Sequence, residues 1–332
     1  MIPAERMKPM KRSVQKAFPA MGTVNTVSIE GEDALAIAER IKARILLLDR
    51  LWSVFRKDSE ITLLNERGGQ GMTLVSADTL RILKECVSLA AETNGAFDVT
   101  AGALTALWRH ETRKGRLPKD ERVRERMETC GADRIAFDTD GAVMLAAGQS
   151  VDLGGIAKGY AIDRAREIVK EAGTENALLN FGGSVCTIGS AVGIGIQNPF
   201  RPTGEPMGTV RLSNRCAVTS GSYERFSTVR GKRYHHIIDP RTGYPSESGL
   251  VSVTLIGENA TALDALATGV FILGVDEALP ILKTRGIDAI FVKTDGKVLM
   301  TEGLHDTFQL RADVRTVSER SKQWLNLKTV RS

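Results

Sequence analysis

Asn176-Ala177-Leu178-Leu179-Asn180-Phe181-Gly182-Gly183-Ser184-Val185-Cys186-Thr187-Ile188-Gly189 holds two short apolar segments on either side of a glycine pair. Segments of this length, alternating or continuously apolar and bounded by glycine, read as buried strands. Residues 192–197, 209–212, 215–219, 234–238 and 251–256 repeat the pattern and predict further strands. No helical spacing separates most of them. Strands grouped with hairpin signals, and helices in blocks of their own, argue for an α+β protein rather than a doubly wound parallel sheet.

Outward from that block the period changes. Residues 33–51 place Ala36, Ile37, Ile41, Ile45 and Leu48 at helical spacing, and residues 78–92 do the same with Leu80, Leu83, Val87 and Ala90. Residues 120–128 form a short, highly charged helix or a loop. Residues 134–137 and 143–146 predict a hairpin around Asp140-Gly141. A helix opens at Gly154-Gly155, runs to about Glu171 and stops at Gly173. Helices over 261–273 and 276–284 precede two last strands, 288–292 and 298–301. No internal repeat or low-complexity linker is visible, and a subdomain boundary is placed near Gln149.

The chain has 332 residues, 42% hydrophobic and 26% charged, as an ordinary globular protein does. Aromatic residues make up only 5%, too few for a stacking platform for single-stranded nucleic acid. The net charge of +5 gathers at the ends, in Arg6, Lys8, Lys11, Arg12 and Lys16 and in Arg315, Arg320, Lys322, Lys328 and Arg331. Residues 1–17 and 311–332 therefore read as basic tails around one domain, 18–310, with no role in binding nucleic acid. No apolar run is long enough to span a membrane, and no secretory signal precedes the domain. Cys86, Cys130, Cys186 and Cys216 are widely spaced and read as reduced structural thiols of a cytoplasmic protein, a disulfide pair being the second reading.

Five segments carry candidate chemistry. In Val151-Asp152-Leu153-Gly154-Gly155-Ile156-Ala157-Lys158-Gly159-Tyr160, a strand end meets a glycine pair and a helix start with a lysine in its first turn. Free N–H groups and the positive helix end suit a phosphate, whereas glycines that only pack a helix on a sheet are the plainer reading. Asp264 and Thr268 stand four apart on one helix face among Leu263, Ala267, Val270 and Phe271. They are hard oxygen ligands suited to Mg²⁺, or else a first-turn carboxylate and a threonine bonded back to its own helix. His235-His236-Ile237-Ile238-Asp239-Pro240-Arg241-Thr242-Gly243 runs a strand into a turn, and strand alternation turns the two histidines to opposite faces. A histidine there is a candidate base, or a polar aromatic on a surface strand. Ser220 lies in the Ser-Gly turn of residues 218–225, and Asp98 either touches a ribose or adenine or caps the helix that follows it.

In this order the segments resemble the ApbE family of flavin transferases. The resemblance starts at Phe18-Pro19-Ala20-Met21-Gly22-Thr23 and continues through residues 55–61, Asn65, 95–100, 152–160, Asn180-Phe181-Gly182-Gly183 and Thr219-Ser220-Gly221. It goes on through 236–245 and 264–268 and closes near Gly303, so it covers about residues 18–310. It implies an ApbE-like, T-fold-like arrangement of mixed, largely antiparallel sheets with flanking helices, and FAD in a cleft between two subdomains. It implies Mg²⁺ held by the Ala157 carbonyl, Asp264 and Thr268. It implies FAD contacts from Met21, Asp98, Gly154, Gly155, Lys158, Ser220, His236, Ile237, Ile238 and Asp239.

The reaction so implied moves FMN from FAD to a Ser or Thr hydroxyl of an acceptor flavoprotein, forming a phosphoester and releasing AMP. His236 is then the candidate base, and Lys158 the cation that supports the transition state. Two departures stand out: Ser184 where many relatives carry a carboxylate or amide, and Phe55 where a tyrosine hydroxyl is usual, beside a turn expected to be buried. Many relatives are exported lipoproteins with an N-terminal cysteine; this sequence has no such segment, consistent with the cytoplasmic expectation. Two other activities use the same residues, hydrolysis of FAD to FMN and AMP, and FAD binding without turnover.

Overall fold

In a computed structural model, residues 13–311 and the backbone of residues 323–325 are described. A sheet of nine strands organises the chain, in the order Ser13–Ala20, Thr23–Glu30, Ala177–Phe181, Ser184–Ile188, Cys216–Gly221, Leu250–Gly257, Asp288–Lys293, Val298–Thr301 and Gln323–Leu325. Each neighbouring pair is antiparallel except the last, which is parallel. The α+β reading therefore holds.

The central strands read as nearly continuous apolar runs because both sheet faces are covered. In Asp288–Lys293, Ala289 and Phe291 enter one core while Ile290 and Val292 enter another. The first core lies under the helices α1 (Ala34–Trp52), α2 (Glu60–Glu66), α3 (Ala77–Glu92), α6 (Ala157–Glu171), α7 (Ala260–Leu273) and α8 (Val275–Arg285). The second is closed by a three-stranded sheet of Phe308–Leu310, Pro206–Leu212 and Val192–Gln197, which supplies Phe308, Val210 and Ile196. A third, smaller core joins α4 (Gly102–Arg113) and α5 (Asp120–Met127) to Ile238 through Leu104, Trp108 and Val123.

Several expectations shift in detail. The hairpin around Asp140-Gly141 is shorter, Ala136–Phe137 paired with Ala142–Met144, because the Asp138 side chain accepts from the N–H groups of Asp140 and Ala142 and turns the chain early. The helix expected from Gly154 begins at Ala157, after a turn. Ser13–Ala17 belong to an edge strand that pairs with Thr26–Glu30 rather than to a tail. The remaining tail positions, 1–12, 312–322 and 326–332, lie outside the described residues. Gln149 is buried, accepting from Ala146 N and donating to Gly131 O.

The cysteine reading is overturned for two residues. Cys186 and Cys216 face each other on adjacent antiparallel strands, with Cα atoms 4.0 Å apart, and form a disulfide. A directly opposed cross-strand pair brings two sulfurs together however far apart they lie in sequence. Cys86 and Cys130 are free thiols.

Helices α6 and α7 meet where only glycine fits. A methyl group on Gly159 would fall on the Ala260 carbonyl and stand 2.7 Å from Asp264 Cβ. Gly159→Ala is thus expected to destabilise the fold by about 1–3 kcal/mol, the usual scale of overpacking. Urea unfolding of the variant checks this, and unchanged stability would mean that the two helices can part without loss.

Candidate active site

Helix α7 is apolar nearly all round and lies inside the protein, as such a helix must. Of residues 260–272, only Thr268 is not buried. Asp264, one turn earlier, is 4% exposed. A carboxylate that deep needs compensation, and it comes from the start of α6. Lys158 Nζ stands 3.1 Å from Asp264 Oδ1 and 3.3 Å from Oδ2, and Gly159 N–H donates to Oδ2 at 2.9 Å.

Thr268 marks the opening. Its Oγ1 is 3.4 Å from Ser220 Oγ. A methyl group on Gly155 would stand 3.8 Å from the same oxygen and 3.4 Å from Phe97 Cε2. The glycine turn, Ser220 and the Asp264–Thr268 face are therefore one site. The turn offers fewer donors than expected: the N–H of Gly154 goes to Asp152 Oδ1, those of Ile156 and Ala157 to Leu153 O, and that of Gly159 to Asp264. The N–H groups of Gly155 and Lys158 have no protein acceptor among the described residues.

His236 lies within electrostatic reach of Lys158. The strand ends at His235, so His236 lies just past it. The Arg225 carbonyl accepts from both His236 N, at 3.2 Å, and His236 Nδ1, at 3.0 Å. With the Nδ1 proton so placed, Nε2 keeps its lone pair. Burial pushes the ring's pKa down to about 4, helped by the positive charges of Arg225, His235 and Lys158, so the imidazole is neutral near pH 7. His235 does face elsewhere: its Nε2 donates to Ser246 O at 3.1 Å and its ring stands edge-on to Phe271, with Nδ1 buried and unpartnered.

Other expected ligand contacts hold the protein together instead. Asp98 Oδ1 accepts from Thr100 N and Oγ1, and Oδ2 from Ala132 N, so the capping reading describes its bonds. Asp98 still belongs to the neighbourhood, because Asp152 N–H donates to Val99 O. Ile237 is buried in the main core and Ile238 in that of α4 and α5. Asp239 accepts three kinds of donor from Arg241, namely N, Nε and a terminal guanidinium N–H. Met21 sits at the tip of the first hairpin in the left-handed region, φ 53°, where its N–H donates to Asp49 Oδ1. With Gly22 at φ 71° it forms the two-residue turn of the hairpin closed by Ala20 and Thr23, a turn that needs positive φ at both positions. Phe55 is 83% exposed, so its turn is not buried.

Glu224 was not singled out by motif reasoning, although it lies in the segment 218–225. Its carboxylate is within electrostatic reach of Lys158, Arg225 and Asp264. At the other end of α7 a cavity of about 510 Å³ is lined by Arg215, Glu258, Asn259 and Arg285 among others, but both arginines are already paired, with Asp288 and Glu92.

Among the described residues, no cluster of three or more His, Cys, Asp or Glu side chains could hold a metal. The Asp264 carboxylate and the Thr268 hydroxyl one turn later remain, hard oxygen donors of the kind Mg²⁺ takes together with waters and substrate phosphates. The residues present fit that ion.

A sequence model of the ApbE family matches residues 21–291. The chain belongs to the ApbE family. A Klebsiella pneumoniae protein called FAD:protein FMN transferase is 33% identical over 269 residues, covering 80% of this chain and 85% of that one. A Treponema pallidum protein of the same name is 29% identical over 93% of this chain and 92% of its own. The ApbE protein of Thermotoga maritima superposes with a TM-score of 0.80 at 32% identity, covering 86% of this chain and 96% of that one. The flavin transferase ApbE of Vibrio cholerae superposes with a TM-score of 0.77 at 25% identity, covering 90% of this chain and all of the other. These ApbE structures share the α+β architecture.

The depressed pKa of His236 ties stability to pH. The unfolded ring binds its proton near pH 6.5 and the folded ring near 4, so the unfolded state holds more protons between those values. Stability contributed by the neutral ring is full above about pH 6.5 and is lost as pH falls toward about 4. His236→Asn should therefore lose less stability than wild type between about pH 7.5 and about pH 4.5 in urea unfolding. An identical decline in both proteins would place His236 in water.

Proposed function

We propose that this chain transfers FMN from FAD to a serine or threonine hydroxyl of an acceptor flavoprotein, with Mg²⁺ as cofactor. The observation that carries the reading is the buried Asp264, bonded by Lys158 and Gly159 one turn before the Thr268–Ser220 contact, with a neutral His236 within electrostatic reach of Lys158. Names of relatives that cover most of this chain support it.

Asp264, Thr268 and the Ala157 carbonyl are the residues that would hold Mg²⁺, which when bound neutralises charge on the diphosphate. Lys158, the Gly155 N–H and the start of α6 offer positive potential to the same group. Ser220 lines the mouth. Met21, Asp98 and the backbone of Ile237, Ile238 and Asp239 are the further contacts this reading assigns to the dinucleotide. In the transfer, the acceptor oxygen forms a bond to the FMN phosphorus as the bond to the AMP oxygen breaks. AMP leaves with that electron pair, and the acceptor's proton passes to His236 Nε2, the free nitrogen of the ring.

Among the described residues, no helix is long and apolar enough to cross a membrane. The cytoplasmic placement rested partly on reduced thiols, and the Cys186–Cys216 bond removes that support.

The reading is tested by incubating the protein with FAD, Mg²⁺ and a candidate acceptor, then weighing the acceptor by mass spectrometry. Covalent FMN with AMP release is expected. FMN and AMP appearing at the same rate without acceptor would make the chain a hydrolase, and tight FAD binding without products would make it a store. In single-turnover measurements His236→Asn should lose about a hundredfold or more, the range for removing a general base. FAD affinity should fall only modestly, and His235→Asn should stay near wild type. A His236→Asn defect confined to FAD affinity would remove the base assignment.

A further inference from the structure

Both oxygens of Asp264 are engaged, but by unlike partners. Oδ2 accepts from the Gly159 N–H, fixed by the close contact of α6 and α7. Oδ1 is the nearer oxygen to the Lys158 ammonium, at 3.1 Å against 3.3 Å for Oδ2. The lysine side chain is 25% exposed while that of Asp264 is 5% exposed, so the ammonium arrives from the open side of the site. Thr268 is likewise the residue of α7 between 260 and 272 that is not buried, and its hydroxyl stands against the glycine turn just before Lys158. A divalent cation bound to Asp264 from that side needs the oxygen lone pairs that Lys158 now uses. A cation and an ammonium at one carboxylate also repel each other strongly in so dry a place.

Lys158 has somewhere else to go. Its charge already acts on Glu224 and on His236, so both lie within electrostatic reach of the ammonium. It is also a flexible point charge that can turn to a phosphate, where a planar guanidinium would be held in place.

We propose that Lys158 and the divalent cation exchange at Asp264. The ammonium neutralises the buried carboxylate until the cation takes Oδ1, Gly159 keeps Oδ2 oriented throughout, and the displaced lysine then meets the diphosphate of the dinucleotide. This rests on Asp264 being a cation ligand. It makes Lys158 a positioning residue as well as a phosphate contact, and it makes cation and dinucleotide bind with positive coupling.

The test is calorimetric titration of Mg²⁺ alone into the EDTA-treated full chain. Lys158→Met removes the competitor, and its affinity for Mg²⁺ should rise by about tenfold, within the usual span of coupling between sites. Lys158→Arg keeps the charge but grips the carboxylate through two N–H groups, so its affinity should fall below wild type. That variant keeps the test decisive should Lys158→Met fold poorly. Saturating Mg²⁺ should tighten FAD binding in wild type more than in either variant. Mg²⁺ affinities equal in wild type, Lys158→Met and Lys158→Arg, with binding still lost in Asp264→Asn, would overturn the exchange and leave the cation site standing. Mg²⁺ binding that survives Asp264→Asn unchanged would overturn the cation site, and the exchange with it.

Discussion

A single carboxylate, Asp264, sits inside the most buried helix of the protein and is compensated from one neighbouring helix. The fold is arranged so that this is possible. Helix α7 lies against the sheet and is apolar on nearly every side, and a lone charge there costs on the order of several kcal/mol unless it is paired. Lys158 and the Gly159 N–H supply the pairing. Both need α6 to approach α7 until the backbone of Gly159 touches Ala260, and a side chain at 159 would prevent it. A well-packed apolar residue at 264 would stabilise the same helix crossing without that cost, so the carboxylate is better explained by chemistry at the Thr268 opening than by the fold.

The second wall of the site depends on the segment after the histidine pair. Ile237 and Ile238 are consecutive, yet enter different cores, one under the main sheet and one under α4 and α5. The turn that follows is tied down by Asp239 with Arg241, by Trp108 Nε1 donating to Gly243 O, and by Tyr244 donating to Asp120. His236 stands at the head of this anchored segment and is further pinned by the Arg225 carbonyl. The ring is thus held through Nδ1, while the residue itself is half-buried. Burial lowers its pKa against the opposing pull of the Arg225 carbonyl, and that same carbonyl bond leaves Nε2 as the free nitrogen.

Much of this was legible in the sequence, and the failures have physical causes. Apolar periodicity located α1, α3, α6, α7 and α8 and the strands over 177–197 and 250–301 within a few residues, because each buries a regular pattern. The whole first hairpin, Ser13–Ala20 with Thr23–Glu30, was missed; its edge strand alternates exposed and half-buried residues and looks like a basic tail at Ser13–Ala17. The cysteine pair was missed because partners 30 residues apart become neighbours only through strand register. The Asp264–Thr268 spacing was visible, but that Lys158 pairs with it depends on which helix packs against which. Asp98 and Asp239 look like ligand residues by type and position, while their oxygens serve the turns that shape the site. Side-chain chemistry in a motif is readable from sequence; whether that chemistry faces a ligand or the protein's own backbone is decided by packing.

On the proposed function, Asp264 is kept for cation chemistry rather than for stability. Asp264→Asn tests it most directly, since the amide oxygen still accepts from Gly159 N–H while the negative charge is gone. FMN transfer from FAD to an acceptor protein, measured beside urea unfolding of the same variant, is the comparison to make. A folded protein of near wild-type stability that transfers no FMN at any Mg²⁺ concentration is the predicted result. A variant that transfers FMN at the wild-type rate would contradict the account.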